Sequence, residues 1–352
     1  MADRPDGDDW RVPKDDRLVP YGATNLGTPL ELVDDVVVPT DLFFVRSNYR
    51  IPTVDPATWR LRVHGLVGQP LELSLADVRA MPQRTVVAFL ECSGNSRMHF
   101  QPATPGTPWR DDAVGNASWT GVALGDVLAL ARPRPEAVEV VSQGADDSLM
   151  RRGLPMRAAL DPDTLLALQM NGADLLVAHG APARLVVPGW GGIASTKWVT
   201  GLELLDHRWE GLWNAEEYVL VDESGQETGR VEEMPVKSVL ARPAAGSPVE
   251  PGPVTVSGYA WSGRGQIEVV GVSVDGGATY APATITERTG PRAWVRWEYE
   301  WLAEPGPVHV QSRATDSSGQ TQPVVAAWNA KGYQMNAITG IDLRVGPTYI
   351  AR

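Results

Sequence analysis

The stretch Phe89-Leu90-Glu91-Cys92-Ser93-Gly94-Asn95-Ser96-Arg97 carries the only cysteine of a 352-residue chain, at the end of an apolar run. The residues before it, Thr85 to Leu90, read as a short buried strand. Gly94 and Asn95 accept backbone angles that other residues resist, so the chain turns sharply and leaves the Cys92 sulfur at the mouth of the turn. A ligand or a nucleophile would stand there. By residue type alone, a lone cysteine beside valine and phenylalanine is a small buried hydrophobe. Any chemistry must therefore come from the string around it.

The chain is long enough for two domains with proper cores, and 43% hydrophobic against 21% charged residues is ordinary for a globular protein. A net charge of -12, from 43 acidic and 31 basic residues, argues against nucleic acid and against an anionic membrane surface as partners. It also makes any cluster of arginines more telling. One cysteine excludes an intrachain disulfide framework, a Cys-rich zinc site and an iron–sulfur cluster. No run approaches the roughly eighteen apolar residues of a transmembrane helix. The first residues, Met1 to Asp9, are acidic and polar, the opposite of a signal peptide, so a cytoplasmic location is expected for the chain as written.

Residues 1–32, rich in Pro, Asp and Gly, read as an arm wrapped on the surface or partly disordered. Residues 33–235 mix strands and short helices. Asp41 to Tyr49 closes a strand-like run on Arg46. Trp59 to Gly65 alternates as a strand, with His64 on its exposed face, and Leu75 to Met81 is a helix stopped by Pro82. A further helix follows Trp119 to Leu128 and ends before Pro133. Val138 to Val141 is a strand, and the loop after it ends on Asp146. Arg151 and Arg152 read as solvated, and Thr164 to Met170 as a helix ended by Asn171-Gly172. A proline-rich shift around Met234 to Pro248 marks a boundary, beyond which residues 236–352 read as strands throughout. Val295, Trp297, Tyr299 and Trp301 share one face of a strand, Asp275-Gly276-Gly277 is a hairpin turn, and the spacing suggests an immunoglobulin-like sandwich. The fold class is α+β, a mixed domain followed by an all-β sandwich.

The string Glu-Cys-Ser-Gly-Asn-x-Arg at Glu91 to Arg97 resembles the molybdenum-ligating loop of the sulfite oxidase family of molybdopterin enzymes. The resemblance continues in order from about Asp41 to Val345. It implies Cys92 as the protein ligand of a molybdenum held by one molybdopterin; a thiol of ordinary pKa, about 8.5, loses its proton to bind. It implies that Arg46 stands at the metal, with the polar Asn48, where relatives carry histidine, at the pterin. It places Trp109 along the oxyanion pocket and Tyr218 near the oxo ligands, and it makes Lys331, where relatives often carry arginine, a cation returned to the active site. The segment His179 to Gly192, leading into Ser195 and Lys197, resembles the pterin-pyrophosphate segment. There a Gly-rich turn exposes backbone N–H groups while His179, Arg184 and Lys197 supply cations to a dianionic tail. Asp146 is placed to accept from a pterin N–H. The sandwich resembles the family's dimerisation domain and implies a homodimer.

The activity so implied is oxidation of sulfite to sulfate by oxo transfer, with Arg46, Arg97 and Lys331 aimed at the oxyanion. This chain has no Cys-x-x-Cys-His and no His-Pro-Gly-Gly haem segment, so an external acceptor, oxygen or a cytochrome, is expected. Two other readings stand beside this one. The same scaffold serves S-oxide or nitrate reduction, and a binding protein with an inert, buried Cys92 is the reading from another class.

Overall fold

The computed structural model describes residues 8–11, 13–146 and 150–346. Strands dominate it. Arg84–Glu91, the run that ends at Cys92, pairs antiparallel with Val114–Ala123, which continues through Leu165–Met170 to the short strands Ala173–Asp174 and Arg184–Val186. A second sheet of five strands runs Leu71–Ser74, Arg60–Gly65, Val199–Leu205, Glu139–Gly144 and Arg151–Pro155, with Arg60–Gly65 and Val199–Leu205 parallel. Helices are few and short. Leu75–Ala80 starts from a capping box, in which Ser74 Oγ accepts from the Asp77 amide and the Asp77 carboxylate accepts from the Ser74 amide. Leu124–Ala131 buries Leu124, Val127, Leu128 and Ala131, one stripe at helical spacing, in the same core as Leu61 and Val63. Among the described residues no helix is long and apolar enough to cross a membrane.

From Lys237 to Val345 the chain is a two-sheet sandwich. One sheet is ordered Lys237–Arg242, Gly252–Trp261, Val295–Ala303, Thr284–Arg288, and the other Pro248–Val249, Gly340–Val345, Gly306–Asp316, Ile267–Ser273, Ala281–Pro282. Val295, Trp297, Tyr299 and Trp301 all join the apolar core between them, Tyr299 and Trp301 only half-buried. The sandwich does not hang on a loose linker. Tyr259, Trp261 and Trp294 pack into one apolar cluster with Phe89, Leu90 and Trp119 of the first domain, and the Trp294 indole donates to the Val36 carbonyl at 2.6 Å.

Three expectations are corrected. Leu165–Met170 is a strand rather than a helix. Asn171 and Gly172, with φ of 52° and 80°, form the two-residue turn of a hairpin to Ala173–Asp174. Leu, Ala, Gln and Met favour helices, but the run lies between Val114–Ala123 and Arg184–Val186, and pairing on both sides overrides propensity. The described part of the arm is built in rather than loose: Trp10, Leu18 and Leu26 are buried with Ala178 and Trp198. Arg152 is 1% exposed rather than solvated, donating to the carbonyls of Trp213 and Val231, and Arg151 pairs with Glu203.

Candidate functional site

The Cys92 loop is held from both domains. Asn95 Oδ1 accepts from the Ala113 amide at 2.9 Å, and Asn95 Nδ2 donates to buried Glu91, which also accepts from Trp261 Nε1 at 2.7 Å. Lys237, at the first residue of the sandwich, is itself buried. It donates to Ser96 Oγ and lies 3.7 Å from Glu91 and 3.8 Å from Asp111. The left-handed residue of the loop is Ser96, with φ 65°, and neither Gly94 nor Asn95. Gly94 serves by its size, since a Cβ there would lie 2.5 Å from Arg97 Nη2. A second glycine pair acts likewise. Gly191 forms a bridge with Glu91, and Cβ atoms on Gly191 and Gly192 would meet Ser93 Oγ at 2.6 Å and the Glu91 carbonyl at 2.9 Å. The Gly-rich turn therefore lies directly against the cysteine loop.

Cys92, partly exposed, borders two cavities. The inner one has a volume of about 90 Å³. Every residue proposed for cofactor binding lines it: Asn48, Cys92, Asp146, His179, Arg184, Ser195 and Lys197. Its cations are deeply buried. The Arg184 guanidinium donates to the carbonyls of Leu185, His179 and Ser195, and burial lowers its pKa to about 9. Lys197 donates to Ser47 Oγ at 2.8 Å and to the Ala178 carbonyl, and burial, followed by the charge of Arg184, holds its pKa well below the usual lysine value. Burial, followed by the charges of Lys14, Arg184 and Lys197, keeps His179 neutral. Ser195 Oγ accepts from the Val187 amide.

The outer cavity is bordered by Arg46, Asn48, Arg97, Trp213, Glu217, Tyr218, Lys331 and Tyr333. Arg97 donates from Nε to the Gly332 carbonyl at 3.1 Å, from Nη1 to Thr107 and from Nη2 to Lys331, so three of its five N–H groups are engaged and two remain. Arg46 donates to Asn25, the Ser47 carbonyl and Asn48 Oδ1. Burial raises the pKa of Tyr218, whose ring stacks on that of Tyr333 at 4.9 Å and 8°. Lys331 Nζ lies 3.3 Å from Glu217 Oε2.

Ten of the eleven other residues singled out from sequence thus converge on Cys92, across 285 positions from Arg46 to Lys331. Trp109 does not. It is fully buried, its ring 4.5 Å from that of Tyr21, and packs in the core below the cysteine loop. Order along the chain matched it to a pocket tryptophan, but an indole so apolar is taken up by the nearest core. The wall of the outer cavity is aromatic through Tyr333 and Trp213 instead, and Tyr333 also carries the Arg97 guanidinium 5.2 Å above its ring. Spacing gave Tyr333 no role; a tyrosine one glycine beyond Lys331 was its only signal.

A molybdopterin fits the inner cavity on its donor set. Arg184, Lys197 and Arg46 bring cations with one carboxylate, Asp146, among them, and desolvation of Lys197 and Arg184 is relieved by a bound anion. Among the described residues no group of three or more His, Cys, Asp or Glu is placed to hold a metal. Residues 48–213 match the family described as oxidoreductase molybdopterin binding domain, and residues 229–345 the Mo-co oxidoreductase dimerisation domain. Sulfite oxidase of Gallus gallus is 36% identical, over 88% of this chain and 73% of its own length. The mitochondrial sulfite oxidase of Rattus norvegicus is 34% identical over 91% of this chain, which spans 63% of that protein's length. Among solved structures, the sulfane dehydrogenase SoxCD of Paracoccus pantotrophus superposes with a TM-score of 0.86 at 30% identity, covering 95% of this chain and 90% of that one. The chain belongs to the sulfite oxidase family of molybdopterin-dependent oxidoreductases.

Proposed function

We propose that this protein oxidises sulfite to sulfate at a molybdenum ion held by Cys92 and one molybdopterin, and passes two electrons to an external acceptor, oxygen or a cytochrome. The observation that carries the reading is the position of Cys92 between a desolvated cationic cradle and an open vestibule in which Arg97 keeps two N–H groups in hand. The cofactor, when bound, supplies oxo transfer and takes up the electron pair. The residues of the chain bind and aim. One cation at about 4 Å and an effective dielectric near 20 attracts an anion by about 4 kcal/mol before desolvation, too little to hold a small oxyanion alone, so the convergence of Arg46, Arg97 and Lys331 matters. Tyr218, in the same cavity, brings a hydroxyl beside them. Overall, sulfite gains one oxygen from water and releases two protons and two electrons.

The sandwich supports a homodimer, which light scattering at micromolar concentration tests. For the reaction, metal and pterin are quantified on the purified protein, and sulfite-dependent ferricyanide reduction is measured beside nitrate and S-oxide reduction by a reduced dye. Equimolar molybdenum and sulfite-dependent reduction are expected. A molybdenum-loaded protein that ignores sulfite and reduces nitrate or an S-oxide overturns the substrate, and a protein without molybdenum overturns the enzyme.

A further inference from the structure

Lys14 belongs to the arm, outside the residues that match the family descriptions. Yet its ammonium reaches the cradle. Nζ lies 2.6 Å from the Thr40 carbonyl, 2.7 Å from the Phe43 carbonyl and 3.1 Å from His179 Nε2. Burial of Trp10 against Ala178 and Trp198 fixes the arm at the turn Val177–His179, one residue from the ring in question.

An ammonium has three donors and no acceptor, and a neutral imidazole has one N–H. Three acceptors surround Nζ only if Nε2 is the bare nitrogen of His179. The ring must then carry its proton on Nδ1, since Nε2 is the nitrogen that faces Lys14. The competing tautomer also has a partner within reach, because the Thr40 carbonyl lies 3.4 Å from Nε2. The choice between the two is therefore made by what Lys14 offers. We infer that Lys14 is a positioning residue of the cofactor cradle: by donating to Nε2 it fixes His179 as the Nδ1–H tautomer and makes that ring a hydrogen-bond donor to the anionic cofactor. Burial lowers the pKa of Lys14 to about 7, so an anion in the cradle, by favouring the ammonium, favours the donor tautomer as well. The inference rests on the cofactor reading above.

The test uses the full chain loaded with its cofactor. With ¹⁵N-labelled histidine, and His179 assigned by loss of its signals in His179→Gln among five histidines, the loaded wild type is expected to show the Nδ1–H pattern. An Nε2–H pattern overturns the inference without any variant of Lys14. In Lys14→Met the ring is expected to move to the Nε2–H tautomer, bonded to Thr40, and the pterin to leave about tenfold faster, followed by its fluorescence after gel filtration. Unchanged tautomer and unchanged release in a folded Lys14→Met overturn it too. A wild type that holds no pterin at all overturns instead the cofactor reading on which this one stands.

Discussion

The two cavities that meet at Cys92 have the same sign of charge and hold their lysines differently. In the inner cradle Arg184 spends its donors on three backbone carbonyls and Lys197 on Ser47 and Ala178, so these cations also hold the walls together. In the vestibule Arg97 is braced by three carbonyls as Arg184 is, but Lys331 rests on an exposed carboxylate that it can leave. Buried charges committed to the scaffold suit a ligand that stays. A partly solvated lysine on an exposed carboxylate suits one that exchanges with every turnover. A count of cations would have scored the two sites alike.

Substitutions on either side break that contrast in different ways. Cys92→Ser should reduce sulfite turnover to background while the melting temperature of the apo protein stays, because a hydroxyl is a poor substitute for a thiolate but fills the same volume. Wild-type turnover would remove Cys92 as the ligand. Arg184→Met strands three buried carbonyls and should cost about 3 kcal/mol of apo stability as well as cofactor content, read by urea unfolding and metal analysis. Stability intact with cofactor lost would mean that the cradle is not a structural element. Arg97→Met should leave molybdenum in place and raise the sulfite KM roughly thirtyfold, about 2 kcal/mol for a charge-assisted contact. Equal KM values at low salt would put the anion elsewhere. Tyr218→Phe removes one hydroxyl beside Asn48 and should slow one half of the cycle by about 1 kcal/mol, visible when reduction and reoxidation are followed separately by rapid mixing.

A last effect is a slope. The folded pKa of Lys14 is lowered to about 7 from its ordinary 10.5, and Lys197 is lowered in the same direction. Between those values the unfolded chain binds more protons than the folded one, so apo stability should rise as pH increases from 7 towards 10.5 and should be flat in this respect below 7. An anion in the cradle returns both groups towards their ordinary pKa, so the loaded protein should take up protons on binding and show a shallower rise. Parallel unfolding curves at pH 7, 8 and 9 for apo and loaded protein check the sign.

What could be read in the sequence was the chemistry of local strings. The turn at Cys92, the basic spacing of His179, Arg184 and Lys197, and the alternation of Val295 to Trp301 each announce themselves within a few residues. What could not be read depends on neighbours far along the chain. Leu165–Met170 has the composition of a helix and is a strand because two other strands flank it. Arg152 resembles any surface arginine until carbonyls from Trp213 and Val231 close on it, 61 and 79 residues away. Lys14 sits in a stretch whose prolines and aspartates suggest disorder, and its place is set by the single indole of Trp10 finding a pocket. Trp109 failed in the other sense: its position in the order matched, but a side chain with so much apolar surface went to the core.

The bracing of Arg97 also fixes a moment in the life of the protein. Two of its three acceptors are the carbonyls of Lys331 and Gly332, 234 and 235 residues further along. A ribosome that has made the cysteine loop and the whole cradle has still not made the residues that aim this arginine. The pocket for the exchanging anion is therefore completed late in synthesis, after the site for the resident one, and a chain interrupted in the sandwich carries a thiol loop whose guanidinium has nothing to brace it.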